Sequence, residues 1–297
     1  MKDQVAQYIE QLIQEGKKSE RTIDSYRRDL LDYANYLHFQ WQVNQVDQVE
    51  QLHIIHYMNA LQKKGRSERT IARHLSSIRS FHQYALRRQW TMQDATQYVE
   101  SPSIREEEPV ILTEEEVKRL LDAPEKGVLA KRDRAILYTL YGTGIRMSEL
   151  LQLNMEDLSL EHRFLRVKGT KEKERIIPLH REVVKYIEAY LSTCEYLAPN
   201  EPLFQNLRNQ RLSRQGCWKM MKKYADVAQL DETFSPEVLR RSFATHFVEN
   251  GADLRTLQHL LGHQDLGTTE RYIRGSEVPL KVAYEQFHPF TIKEENI

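Results

Sequence analysis

Two cysteines, Cys194 and Cys217, are all that 297 residues contain, too few for a disulfide framework or a four-ligand zinc site. No apolar run is long enough to cross a bilayer, and no apolar stretch opens the chain as a secretion signal would. The chain is therefore expected in the cytoplasm, off the membrane, with neither a metal nor a cofactor. Net charge is lacking as well: 43 lysines and arginines balance 43 aspartates and glutamates. Global basicity thus announces no polyanionic partner, and any such partner has to be read from local charge.

Local charge is uneven. Between Leu61 and Trp90 lie Lys63, Lys64, Arg66, Arg69, Arg73, Arg79, Arg87 and Arg88, with Glu68 the one acid among them. Between Pro202 and Ala225 lie Arg208, Arg211, Arg214, Lys219, Lys222 and Lys223, with no acid. Acids concentrate elsewhere, as in Arg105–Glu116. A single charge run usually means a solvated face. Two acid-poor basic segments in a neutral chain raise the weight of a nucleic-acid partner.

Residues 1–100 read as helical almost throughout. Val5, Tyr8, Ile9, Leu12 and Ile13 recur at helical spacing up to Gly16. The pentapeptide Ser19-Glu20-Arg21-Thr22-Ile23 returns as Ser67-Glu68-Arg69-Thr70-Ile71. Each serine is placed to cap a helix, over Thr22–Leu37 and Thr70–Gln89. The stretch ESPSIREEEP, charged and without periodicity, predicts a linker over 101–110, and a second domain fills 111–297. There, Thr113 and Glu116 form a capping-box pattern. Asp133–Tyr141 is an apolar helix expected to break at Gly142-Thr143-Gly144, with another beginning near Arg146. Phe164–Lys168 and Arg175–Leu179 alternate as a strand pair. The expectation is a mainly α, two-domain chain whose second domain adds a small antiparallel sheet.

Four segments carry the chemistry: GTGIRMSELLQL at 142–153, VKGTKEKERIIPL at 167–179, SPEVLRRSFATHFVENGADLRTLQHLLGH at 235–263 and TTERY at 268–272. In this order they resemble the catalytic domain of the tyrosine recombinases, the phage-integrase family, most closely its Xer-type members. The resemblance extends to the helical N-terminal domain, which in this family is a SAM-like core-binding clamp on DNA, and to the closing FHP at 287–289. It implies a site-specific recombinase that cuts and rejoins DNA through a 3′-phosphotyrosyl intermediate. The expected substrate is double-stranded DNA with inverted half-sites, held by a homotetramer coupled through the C-terminal helix. There Ser276 would cap and Pro279 would sit in the first turn, with Leu280, Val282, Ala283 and Phe287 giving apolar surface. Whether a second recombinase or an accessory protein joins is left open. At this length no added arm-binding domain is expected, which favours a simple resolvase or a minimal integrase of a mobile element.

By the same resemblance, Tyr272, nine residues after His263 and flanked by Arg271 and Arg274, is the nucleophile. A phenol can hold the phosphate covalently and later release it. Arg146 and Arg240 are the guanidinium forks for the non-bridging oxygens. Lys171 is the acid for the leaving 5′-oxygen, assigned with one residue of slippage because Thr170 stands at the usual position; Lys173 is the alternative. His263 would bond the phosphate or orient its partners. Lys63, Lys64, Arg66, Arg69, Arg73, Arg79, Arg208, Arg211, Arg214 and Arg241 are the candidates for the DNA backbone.

One position departs from the family. Its His-x-x-Arg is here Glu237-Val238-Leu239-Arg240, and the spacing keeps Glu237 on the face of Arg240. The carboxylate can take the phenol proton, or the substitution has impaired the enzyme. A family member that only organises DNA and a type IB-like topoisomerase are the rival readings. Taken singly, each residue has a plainer role: a first-turn helix arginine, a solvated hairpin lysine, a C-cap or turn histidine, a packed tyrosine. Their joint order is what favours catalysis.

Overall fold

The computed structural model describes residues 1–103, 110–169, 174–195, 197–262 and 280–291. Lys171, Lys173, His263, Tyr272, Ser276 and Pro279 lie outside these, as does most of the expected linker, and so do the side chains of Leu280, Val282 and Ala283. The chain divides into two compact units, Met1–Glu107 and Glu108–Ile297.

The first unit is built of α1 (Lys2–Glu15), α2 (Glu20–Trp41), α3 (Gln51–Lys63) and α4 (Glu68–Arg87), with a 3-10 turn at Val46–Gln48. Gly16 ends α1 with φ of 61°, a left-handed conformation that favours glycine. The repeated pentapeptide starts two helices alike. Ser19 Oγ accepts from Thr22 N at 3.2 Å and Ser67 Oγ from Thr70 N at 3.3 Å. Such a cap is worth about 1 kcal/mol. Leu30, Tyr33, Leu37, Ile54, Leu75, Ile78 and Phe81 are wholly buried between these helices. Most polar groups in this core have partners: Asp29 meets Arg73 and His74, His74 meets Tyr57 at 3.2 Å, and Tyr33 meets His82 Nε2 at 3.2 Å, while His82 Nδ1 has none among the described residues. Burial pulls His82 down to about 4, so it stays neutral there.

The second unit begins with α5 (Glu114–Asp122), where the Thr113–Glu116 capping box forms in both directions. Next come α6 (Ala130–Thr143) and the four-residue α7 (Met147–Leu150). A three-stranded antiparallel sheet follows, of order β1 (Leu158–Ser159), β2 (Phe164–Lys168), β3 (Glu174–Pro178). The sequence had shown two of these strands. Then come α8 (Arg181–Leu191), α9 (Arg214–Val227), α10 (Pro236–Glu249), α11 (Leu254–Leu261) and α12 (Leu280–Phe287).

Buried on nearly all sides, α6 packs against α8 and α10. It does not break at Gly142. The helix runs through Gly142 and Thr143 and stops at Gly144, left-handed at φ of 61°. Gly142 serves close packing instead: a Cβ there would overlap Val183, and its carbonyl accepts from Tyr284 Oη and, at 2.7 Å, from His288 Nε2. Tyr284 and His288 are both fully buried, so the C-terminal segment is seated on its own unit.

Candidate active site

Three turns bring the described site residues together. At the first, a Cβ on Gly144 would lie 2.5 Å from Phe243 and 2.9 Å from Leu261, so glycine is required by both conformation and space. Two residues on, Arg146 is the N-cap of α7 rather than a first-turn residue. Its backbone N–H donates to Glu149 Oε2 at 2.8 Å and its Nη1 to Glu149 Oε1 at 3.2 Å. At the second turn, Ser235 caps α10 and Pro236 opens it, which fixes Glu237 and Arg240 one turn apart. Asp253 caps α11, and Gly262 (φ 65°) ends it at the third turn.

The C-terminus of α11 is the meeting point. The last carbonyls of a helix lack intrahelical donors and carry its negative end. Here arginines satisfy them. Arg240 Nη2 donates to Leu261 O at 2.9 Å and its Nη1 to Gly144 O at 2.6 Å. Arg146 Nη1 reaches Leu261 O at 3.5 Å, and Arg175 Nε donates to Leu260 O at 2.8 Å. Leu261 and Gly262 directly precede His263 in the chain.

Glu149, buried, sits among the same three guanidiniums. Arg175 holds both of its oxygens, at 2.9 and 3.0 Å, and Arg240 Nη1 lies 4.0 Å away. Burial on its own would raise the Glu149 carboxyl, but Arg175 and then Arg146 outweigh it and hold the group below its usual range. Burial first, then Arg146, draws Arg240 down to about 10, which leaves it charged at neutral pH. Three guanidiniums against one buried carboxylate leave positive charge to spare for an anion. Glu237 is exposed and takes no hydrogen bond from another described residue, yet its charge is felt at Arg240.

Glu149 and Arg175 were not singled out from the sequence. A weak signal existed for each. Glu149 follows Arg146 at capping-box spacing, and Arg175 alternates with Ile177 on the inner face of β3, where a cation needs a reason.

The basic segments divide. Lys63, Lys64, Arg66 and Arg69 are exposed at the turn from α3 to α4. Arg73 is bound to Asp29, and Arg79 to Val99 O and Ser101 Oγ. In the second unit, Arg208, Arg214 and Arg241 are exposed. Arg211 spans Leu151 O at 2.8 Å, Leu153 O at 3.2 Å and Asn154 Oδ1 at 2.5 Å. Arg73, Arg79 and Arg211 thus hold the fold, whatever else they contact.

The phage integrase family model matches residues 111–277, and that of the phage integrase N-terminal SAM-like domain matches residues 5–89. The chain is 40% identical over 293 residues to Tyrosine recombinase XerD of Staphylococcus haemolyticus, covering 96% of this chain and 98% of that one. It is 40% identical over 276 residues to Tyrosine recombinase XerD of Oceanobacillus iheyensis, covering 91% and 93%. In fold it is similar to the Tn1549 transposon integrase in complex with circular intermediate DNA, with a TM-score of 0.73 over 98% of each chain at 18% identity. The chain belongs to the phage integrase family and is a tyrosine recombinase of the Xer type. Among the described residues, no helix is long and apolar enough to cross a membrane.

Proposed function

We propose that this recombinase cuts and rejoins DNA at a specific site, with Tyr272 as nucleophile and Arg146 and Arg240 as the clamp on the scissile phosphate. One observation carries the assignment of the clamp. Both guanidiniums converge on the Leu261 carbonyl, two residues before His263, and both are pre-set by fixed partners. Donors fixed before the reaction cost no reorganisation as charge builds on the non-bridging oxygens.

The phenol oxygen of Tyr272 forms a bond to phosphorus while the bond to the 5′-oxygen breaks. The phenol proton passes to Glu237, and Lys171 gives a proton to the departing 5′-oxygen. What remains is a 3′-phosphotyrosyl link and a free 5′-hydroxyl, and attack by another 5′-hydroxyl reverses the step on a new partner. Since no water enters, the bond energy is kept. Lys63, Lys64, Arg66, Arg69, Arg208, Arg214 and Arg241 neutralise the duplex backbone, which positions the protein without reading sequence. Four protomers on paired inverted half-sites complete the assembly, in the cytoplasm where the DNA is.

DNA captured by the purified protein, once sequenced, supplies the site for the test. On two copies of it, the parent should exchange strands. Tyr272→Phe should bind with the same affinity and give no covalent product. Exchange by the Phe variant would overturn the assignment.

A further inference from the structure

Neither the motifs nor the clamp assigns a task to Arg175, although all three of its guanidinium nitrogens are engaged. Nη1 and Nη2 fork onto the two oxygens of Glu149, and Nε donates to Leu260 O. It also lies against Gly262, where a Cβ would stand 2.9 Å from Nη1. Arg240 bonds neutral carbonyls, whereas the fork of Arg175 lies on a carboxylate that matches its charge, so Arg175 is not a third hand on the phosphate.

We propose that Arg175 is a positioning residue that occupies Glu149, so that Arg146 and Arg240 keep their charge for the phosphate. The inference rests on the reading that those two arginines meet the scissile phosphate. Glu149 is buried and ionised, and a buried carboxylate needs a cation at hand. A bidentate guanidinium is the strongest partner available to it. With Arg175 in that place, Arg146 gives Glu149 a single side-chain bond at 3.2 Å, and Arg240 stands off at 4.0 Å. Among the described residues, the Nε and Nη2 of Arg146 have no partner, and its side chain is 39% exposed. Without Arg175, the cation placed to replace it is Arg146, which is tied to Glu149 already through its backbone. Arg146 would close onto the carboxylate and turn from the phosphate. Glu149 thus holds the loop of Arg146 in place, and Arg175 keeps that hold from becoming a trap.

The test is single-turnover cleavage of a nicked suicide substrate. It uses either the natural phosphodiester or a neutral methylphosphonate, in which a methyl replaces one non-bridging oxygen and less charge needs stabilising. Arg175→Met should bind DNA within twofold of the parent yet cleave the phosphodiester about 10²-fold more slowly, the scale of one lost transition-state donor. The loss should shrink to less than about tenfold on the neutral linkage, by the same reasoning about charge. Glu149→Gln added to Arg175→Met should recover part of the rate, because the unpaired carboxylate is gone. A loss of equal size on both linkages would make Arg175 a structural residue only and overturn the proposal. Should the parent be too slow on the neutral linkage to compare, the double variant decides. A double variant no faster than Arg175→Met overturns the proposal as well. A parent that forms no covalent product on either substrate defeats the functional reading on which the inference rests.

Discussion

Both units gather cations, and they hold them in opposite ways. At the turn from α3 to α4, Lys63, Lys64, Arg66 and Arg69 stand exposed, with no ion pair among the described residues. In the second unit, Arg146, Arg175 and Arg240 are tied to Glu149 and to carbonyls at the end of α11. Exposed, adaptable cations suit a duplex backbone, where many phosphates are met loosely and counterions are released. A reacting phosphate calls for the reverse, since a misplacement of about 1 Å can cost about 10²-fold in rate. On the proposed reading, the same residue type serves affinity where it stands exposed and rate where it is tied around Glu149.

The largest effect expected from that contrast falls on Arg146. Arg146→Met should slow strand cleavage about 10²- to 10³-fold while half-site binding, measured by gel shift, changes little. A variant that lost binding and kept its rate would reverse the division of labour. Next comes Glu237, exposed and one turn from Arg240. If it takes the phenol proton, Glu237→Gln should lose about 10²-fold in cleavage. A Gln variant faster than the parent would mean that the carboxylate hinders the reaction.

Smaller effects belong to the first unit. Replacing Arg66 and Arg69 by Gln should weaken binding alike on all sites and make the salt slope shallower by about 1.8, for two phosphate contacts at ~0.9 each. These two are better choices than Arg73, whose loss would also strand Asp29 in the core. An unchanged slope would return the segment to an ordinary solvated face.

The smallest effect concerns His288 and is one of stability. Its Nε2 donates to Gly142 O while its Nδ1 accepts from Phe290 N at 3.2 Å, an arrangement open only to neutral imidazole. Burial, then His180 stacked 5.0 Å away, pulls it down to about 3. Its folded value lies below its unfolded one, so the unfolded chain takes up the proton first. Stability should then fall as pH drops below about 6.5 and continue to fall toward the folded value. Between pH 7.5 and 5.5 this one group contributes about 1.4 kcal/mol. Urea unfolding of the parent and of His288→Gln at both pH values should differ in pH dependence by that amount. Equal dependence would mean that His288 does not set it.

What the sequence made legible was local. Ser19 and Ser67 cap through contacts three residues away, and Thr113 with Glu116 does the same, so short motifs sufficed. Gly142 misled because its use is tertiary: Val183 closes over it and the C-terminal segment bonds its carbonyl. Glu149 and Arg175 pair across 26 residues and two elements, which no window of the chain displays. Arg73 looked free in an acid-poor window because its partner, Asp29, lies 44 residues earlier. The two arginines expected at the phosphate, Arg146 and Arg240, do come together in space, whereas Lys171, His263 and Tyr272 fall outside the described residues. Their roles rest on the resemblance of their segments to the family.

The most direct measurement follows from that. The parent is trapped on a nicked suicide substrate, the DNA is digested, and the peptide that carries the remaining nucleotide is identified by mass spectrometry. The account expects a single adduct, through a 3′-phosphate, on Tyr272. A nucleotide on any other residue, or no adduct from a protein that binds the site, would contradict it.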